Sequence, residues 1–298
     1  LAAIAYSYSR FSGIKASVAT DVVQLGIILL GGALLVALGL RLTSGLETVR
    51  AGLGSVSGEY TSLTSASGVE VLLSFGLPTA VGLISGPFGD QCFWQRVFSI
   101  REDRIGRSFF AAALLFALVP IAMGTVGFLA AGSGFQAADA GMVNFEFVMS
   151  LLPAWVLVPF LFMVISGLLS TVDSNLCAAA SLTTDWMTGE GADNIRASRR
   201  VMLALLLVSI LIANIPGLTV THLFLFYGTL RASTLLPTVM TLLGKKLSAG
   251  GVFAGVLTAL CVGLPIFAYG NIAGIPALKT AGSLTTVLSS GVVAVIVS

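Results

Sequence analysis

Charged side chains are scarce in this chain of 298 residues, where Asp, Glu, Lys and Arg together make up 9%. Soluble domains carry about a quarter, so there is too little charge here to cover a water-exposed surface. Histidine occurs once, as His222 near the end of an apolar run, where no surrounding pattern gives it a chemical role. Cysteine occurs three times, as Cys92, Cys177 and Cys261, without a CxxC pair. That excludes a zinc framework and a disulfide scaffold, and the three read as small buried hydrophobes. The formal net charge of +2 gives no electrostatic footprint for nucleic acid, so no nucleic-acid partner is expected. Also missing is any low-complexity tract or soluble-domain stretch, and residues 1–298 are read as a single transmembrane domain.

Apolar residues, by contrast, make up 56% of the chain. They gather in continuous runs of about 20 residues, the length an α-helix needs to cross the hydrocarbon core of a bilayer. A membrane β-barrel would show alternating segments of about ten residues instead. The fold class is therefore all-α and polytopic, embedded in the lipid bilayer. Full runs are expected at 17–43, 69–98, 108–131, 153–183, 200–214, 220–243, 251–270 and 282–298, which makes eight spans. Residues 1–9 read as the end of a helix whose start is cut off, and the last run stops at Ser298, so the chain is expected to be a fragment. With the loop at 10–16 set on the cytoplasmic side, eleven of the fifteen Lys and Arg residues fall inside, three outside, and Arg231 within a span. That asymmetry follows the positive-inside rule and supports the span count.

Charges at membrane depth are costly and face a cavity or the bundle interior. The candidates are Asp21, Asp90, Asp173 and Arg231. Ser17, Thr20, Asp21 and Gln24 recur at i, i+3, i+4 and i+7, and Ser166, Ser170, Asp173, Ser174 and Cys177 at i, i+4, i+7, i+8 and i+11. Each set lies along one face of a helix. Two such faces would surround a site with hydroxyl and carboxylate oxygens, the ligands that hard cations take. One or two carboxylates suit a monovalent ion such as Na+. The alternative is plain hydrogen bonding between helices, which is common in membrane bundles. In "LISGPFGDQCFWQR", residues 83–96, Gly86, Pro87 and Gly89 fall within four residues and are expected to break the helix. In transporters such breaks form solute and ion sites near the midplane; a simple proline kink is the alternative. Arg231 either meets an anionic solute group or pairs with one of the aspartates.

Three segments resemble the sodium/solute symporter family. "SGIKASVATDVVQ" (12–24) is similar to its motif at the entry to a core helix, "GDQCFWQRVFS" (89–99) to the segment after its broken sixth core helix, and "LLSTVDSNL…TTDW" (168–186) to its eighth. The resemblance implies a leucine-transporter fold of two inverted five-helix repeats, with core helices 1–3 lying before Leu1. It implies a main Na+ site at Gly167, Ser170 and Thr171 and a second at Asp21, Asp173 and Ser174, with Na+ a transported coupling ion rather than a held cofactor. Where the family has a hydroxyl, this chain has Asp173, a group that would strengthen cation binding or take up a proton. Solute contacts are implied around the helix break, at Ser85, Gly86, Pro87, Phe88, Asp90 and Gln91, with Thr229 and Arg231 from a later span. The asparagine and aromatic gate that the family uses for sugars are absent from Leu83–Phe88. A small polar solute such as urea, an amino acid or a carboxylate is therefore expected in preference to a sugar.

The expected activity is sodium-coupled symport by alternating access, in the plasma or bacterial inner membrane, and no enzymatic reaction. Two other classes compete. One is a membrane sensor domain of a larger signalling protein. The other is an intramembrane aspartyl protease, whose Tyr-Asp and Gly-x-Gly-Asp signatures are both missed, because Asp21 follows Thr20 and Asp90 sits in "PFGD".

Overall fold

The computed structural model describes residues 1–62, 64–188, 194–216 and 219–298, and excludes the side chains of Ser12, Ala140, 184–188 and Asn194. The Thr184-Asp185-Trp186 end of the third motif thus lies outside the described side chains. Among the described residues every regular element is a helix. The first are α1 (Ala2–Ser12), α2 (Ile14–Leu42), α3 (Leu46–Gly52), α4 (Ala66–Val71) and α5 (Leu77–Gly89). They are followed by α6 (Gln91–Ser99), α7 (Ile105–Gly132), α8 (Val143–Leu151), α9 (Leu157–Thr188) and α10 (Asn194–Ala213). The last are α11 (Val220–Ala232), α12 (Leu235–Leu242), α13 (Ala249–Thr258), α14 (Leu264–Ile272) and α15 (Pro276–Val297).

Seven helical stretches among the described residues are long and apolar enough to cross a membrane: Ile14–Leu42, Ala66–Gly89, Glu102–Gly132, Ala154–Thr183, Val220–Leu242, Ala249–Ile272 and Pro276–Val297. The protein is an all-α polytopic membrane protein. The run expected at 200–214 differs from the others. It is helical as α10, but Arg196, Arg199 and Arg200 crowd its first turns and shorten the apolar part.

The chain forms two compact units, one of Leu1–Gly58 with Gln95–Pro216 and one of Glu59–Trp94 with Gly217–Ser298. In the first, α2 packs along α7 and α9 around Leu35, Val126, Leu129, Phe160 and Met163. Lipid tails are as apolar as leucine, so helices in a bilayer associate by close packing of small residues. Gly132 shows how close: a Cβ there would come 1.8 Å from the carbonyl oxygen of Thr48 on α3.

In the second unit α5 packs on α11, and α15 on α13 and α14. Two of its spans contain a wide π turn, at Leu72–Gly76 and Ala259–Gly263, each followed after one leucine by a proline, Pro78 and Pro265. The cause is local. Leu77 N–H bonds the Leu72 carbonyl, so the partner of the Leu73 carbonyl in the wide turn would be residue 78, a proline with no N–H. Thr280 Oγ1 on α15 donates to that carbonyl instead, at 2.6 Å.

The helix break falls later than the Gly86–Gly89 cluster. The α5 helix runs through Pro87, and the chain turns extended at Asp90, with φ −114° and ψ 117°. Proline removes only its own bond to the Leu83 carbonyl, and the Gly86 carbonyl still accepts Asp90 N–H at 3.1 Å. Cys92 and Cys177 are buried, whereas Cys261 is exposed on its π turn, against the expectation of burial.

Candidate functional site

In the first unit the polar stripes of α2 and α9 face each other. Asp21 Oδ1 accepts from Ser170 Oγ at 2.5 Å, and its Oδ2 accepts from Arg96 Nη2 on α6 at 2.9 Å. The same Arg96 nitrogen donates to Ser174 Oγ at 2.8 Å. Asp173 is fully buried. Its Oδ2 accepts from the Tyr8 hydroxyl at 2.7 Å and from Thr20 Oγ1 at 3.3 Å, and its Oδ1 from Ser17 Oγ at 3.1 Å and Ser174 Oγ at 3.2 Å. Asp21 thus has a cationic partner. Asp173 has hydroxyls alone among the described residues, and a buried charge without a counter-charge is costly.

Of the residues read as cation ligands, the structure brings Asp21, Ser170, Asp173 and Ser174 into one hydrogen-bonded cluster. Thr171 and Gly167 stand apart from it: Thr171 is exposed, and its hydroxyl donates to the Gly167 carbonyl at 2.9 Å on its own helix. Three members escaped sequence reasoning. Tyr8 comes from α1, and Gln95 and Arg96 from α6. Gln95 Nε2 donates to the Cys177 carbonyl at 3.2 Å and to Ser181 Oγ at 2.5 Å, which ties α6 to α9. The available signal was the "QR" pair at the cytoplasmic end of its motif, where Arg96 reads most simply as a loop charge.

In the second unit Asp90 Oδ2 accepts from Arg231 Nη2 and, at 3.1 Å, from the Tyr227 hydroxyl. Its Oδ1 accepts from Cys92 N–H at 2.9 Å, the cap of α6. Arg231 lies over the Tyr227 ring, with Cζ 3.9 Å from the centroid. Of the two roles read for Arg231, the structure shows the pairing with an aspartate, Asp90. Several of the other residues read as solute contacts are engaged within the protein. Ser85 Oγ donates to the Val81 carbonyl at 2.6 Å, the Gly86 carbonyl takes Asp90 N–H, and the Phe88 carbonyl takes Trp94 Nε1 at 3.2 Å. Pro87 is exposed and Gln91 half-buried at the start of α6. Thr229 is buried 3.2 Å from Ser283 on α15, which is an interhelical contact. A cavity of about 20 Å³ between α5 and α11, lined by Pro78, Thr79, Gly82, Tyr227, Gly228 and Arg231, has room for about one water molecule.

Comparison with known proteins bears on what these clusters serve. A family model described as "SSF: Sodium:solute symporter family" matches residues 1–259. The chain is similar to the urea-proton symporter DUR3 of Oryza sativa subsp. japonica, with 25% identity over 265 residues, covering 80% of this chain and 36% of that relative. It therefore spans little more than a third of the curated relative it matches. No solved structure matches the chain.

Proposed function

The chain belongs to the sodium:solute symporter family, and on that premise we propose that it serves cation-coupled symport of a small polar solute across the plasma membrane. The observation that carries this reading is the meeting of Asp21 with Ser170 across α2 and α9. Hydroxyl and carboxylate oxygens from two helices converge there, as a dehydrated monovalent cation requires. In this reading residues 1–298 form one symporter domain, with α2 to α12 in the places of core helices 5 to 10 of a leucine-transporter fold. Na+ would be held at Gly167, Ser170 and Thr171, with Asp21, Asp173 and Ser174 as the second cation position. A neutral amide such as urea is the preferred solute class. The relative is named as a urea symporter, and Arg231, already matched by Asp90, offers little to a carboxylate. Alternating access follows if cation and solute each bind one arrangement of the helices better than the other. The protease reading has no comparable support, since Asp21 and Asp90 each have an arginine partner.

The test is uptake of radiolabelled urea by the full-length protein in liposomes, under an inward Na+ or proton gradient. Accumulation driven by a cation gradient is the expected result. Uptake indifferent to both gradients would remove the coupling.

A further inference from the structure

We propose that Arg10, Arg196, Arg199 and Arg200 form a binding site for an anionic phospholipid of the cytoplasmic leaflet, with its head group at the junction of α1 and α10 and its acyl chains along α10. The site shares no residue with the symport reading and does not depend on it.

Arg199 Nε donates to the Arg10 carbonyl at 2.9 Å, and the Tyr6 hydroxyl donates to the Arg199 carbonyl at 3.4 Å, so α1 and α10 are joined at this end. Both guanidinium groups reach the same ring. Cζ of Arg10 lies 4.6 Å from the Phe11 centroid, and Cζ of Arg199 lies 5.7 Å from it. Two like charges drawn to one aromatic ring repel each other. Among the described residues no ion pair joins Arg10, Arg196, Arg199 or Arg200 to a carboxylate; the paired arginines are Arg96, Arg101, Arg104 and Arg231. An anion bridging Arg10 and Arg199 would offset the repulsion. A phosphodiester suits the place, because its oxygens match the planar fork of a guanidinium.

The surface that continues from these charges selects a lipid. Arg196, Arg200, Leu203, Leu207 and Leu211 follow one another at i, i+4, i+7, i+11 and i+15, and so share one face of α10. All five are exposed. That face is basic at the start of the helix and apolar beyond. At 1.5 Å per residue, the stretch from Arg200 to Leu211 covers roughly 16 Å, about the depth of hydrocarbon in one leaflet. A head group at the arginines would therefore lay its chains against the leucines. Phe11, 67% exposed, adds an apolar ring at the level of the charges. A soluble anion would use the arginines alone, and a soluble protein could not reach leucines at that depth. The Lys and Arg asymmetry puts this end on the cytoplasmic side, where anionic lipids attract basic groups.

Native mass spectrometry of the full-length protein, titrated in detergent with phosphatidylglycerol or phosphatidylcholine, tests the site. Phosphatidylglycerol should bind in preference. Arg10→Gln with Arg199→Gln should weaken that binding about tenfold or more, with little change for phosphatidylcholine. Arg196→Gln with Arg200→Gln should weaken it as well, and keeps the test open if the first pair does not fold. The control is Arg101→Gln with Arg104→Gln, two arginines paired with Asp103, which should leave the affinity unchanged. An equal loss in the control would reduce the effect to general attraction by cytoplasmic charge and overturn the proposal, as would unchanged binding in the two test pairs. Glycerol phosphate, which carries the phosphate without acyl chains, should not displace the lipid. Displacement by it would reveal a site for soluble anions and overturn the lipid assignment.

Discussion

Arg96 Nη2 lies 2.9 Å from Asp21 Oδ2 and 2.8 Å from Ser174 Oγ, so one guanidinium spans the carboxylate of α2 and a hydroxyl of α9. Two aspartates that look alike in sequence therefore have different fates. Asp21 is paired with an arginine, whereas Asp173 is bonded to the hydroxyls of Tyr8, Ser17, Thr20 and Ser174.

The first expectation concerns that pair. Its side chains are 36% and 22% exposed, so solvent screens it and its worth lies between that of a surface pair and a buried one. Arg96→Gln combined with Asp21→Asn should be less destabilising than the sum of the single changes, with a coupling of about 1 kcal/mol. Denaturant unfolding in detergent across the four proteins measures it. Simple additivity would mean that the contact contributes nothing. In uptake assays Arg96→Gln alone should tighten the apparent affinity for the external cation, because Asp21 is then left without its counter-charge.

A second expectation concerns the Ser170–Thr171 hydroxyl pair. Ser170→Ala with Thr171→Ala removes two oxygens proposed to hold Na+, and should raise the Na+ concentration for half-maximal uptake about tenfold, a loss of about 1.4 kcal/mol. Titration of uptake against Na+ at fixed pH gives the answer, and an unchanged requirement takes both residues out of the site.

The spans were legible because a run of apolar residues near bilayer length has few other uses. The polar cluster of α2 and α9 was half legible. Ser17, Thr20, Asp21 and Gln24 repeat at helical spacing, so their common face could be read without knowing what it met. Tyr8 and Arg96 were not legible in this way. Each is a single polar residue brought in by a different helix, and local periodicity carries no record of a contact made 165 or 75 residues away. The helix break was displaced for a related reason. Proline and glycine announce a weak point near residue 87, but the turn is fixed at Asp90, whose carboxylate is anchored by Arg231 and Tyr227 from α11. The Leu72–Gly76 π turn was missed because its cause, Pro78, and its remedy, Thr280, are far apart in the chain.

That remedy can be tested directly. Thr280 Oγ1 donates to a Leu73 carbonyl whose usual helical partner is missing. Thr280→Val keeps the shape and removes the donor, which leaves a half-buried carbonyl unsatisfied and should cost about 1 kcal/mol. Thr280→Ser restores the hydroxyl and should recover most of that loss. Thermal unfolding of the three proteins decides the matter, and equal stability of the valine and serine forms would show that the carbonyl finds another partner.

The packing of α5 on α11 depends on the absence of side chains at one crossing. A Cβ on Gly82 would sit 2.7 Å from Gly228 Cα, a contact with backbone that no rotamer change relieves. Gly82→Ala must therefore push the helices apart, at a cost of about 1–3 kcal/mol. The small cavity beside this crossing is lined by Tyr227 and Arg231, so separation would also disturb the Asp90 pair. Gly26→Ala is the control. It adds the same methyl group to a span, but nothing lies within 4 Å of the new atom, and alanine favours helix over glycine by about 1 kcal/mol. The two alanine variants should thus shift unfolding in opposite directions. A Gly82→Ala protein as stable as the Gly26→Ala protein would mean that the two helices do not touch at this point.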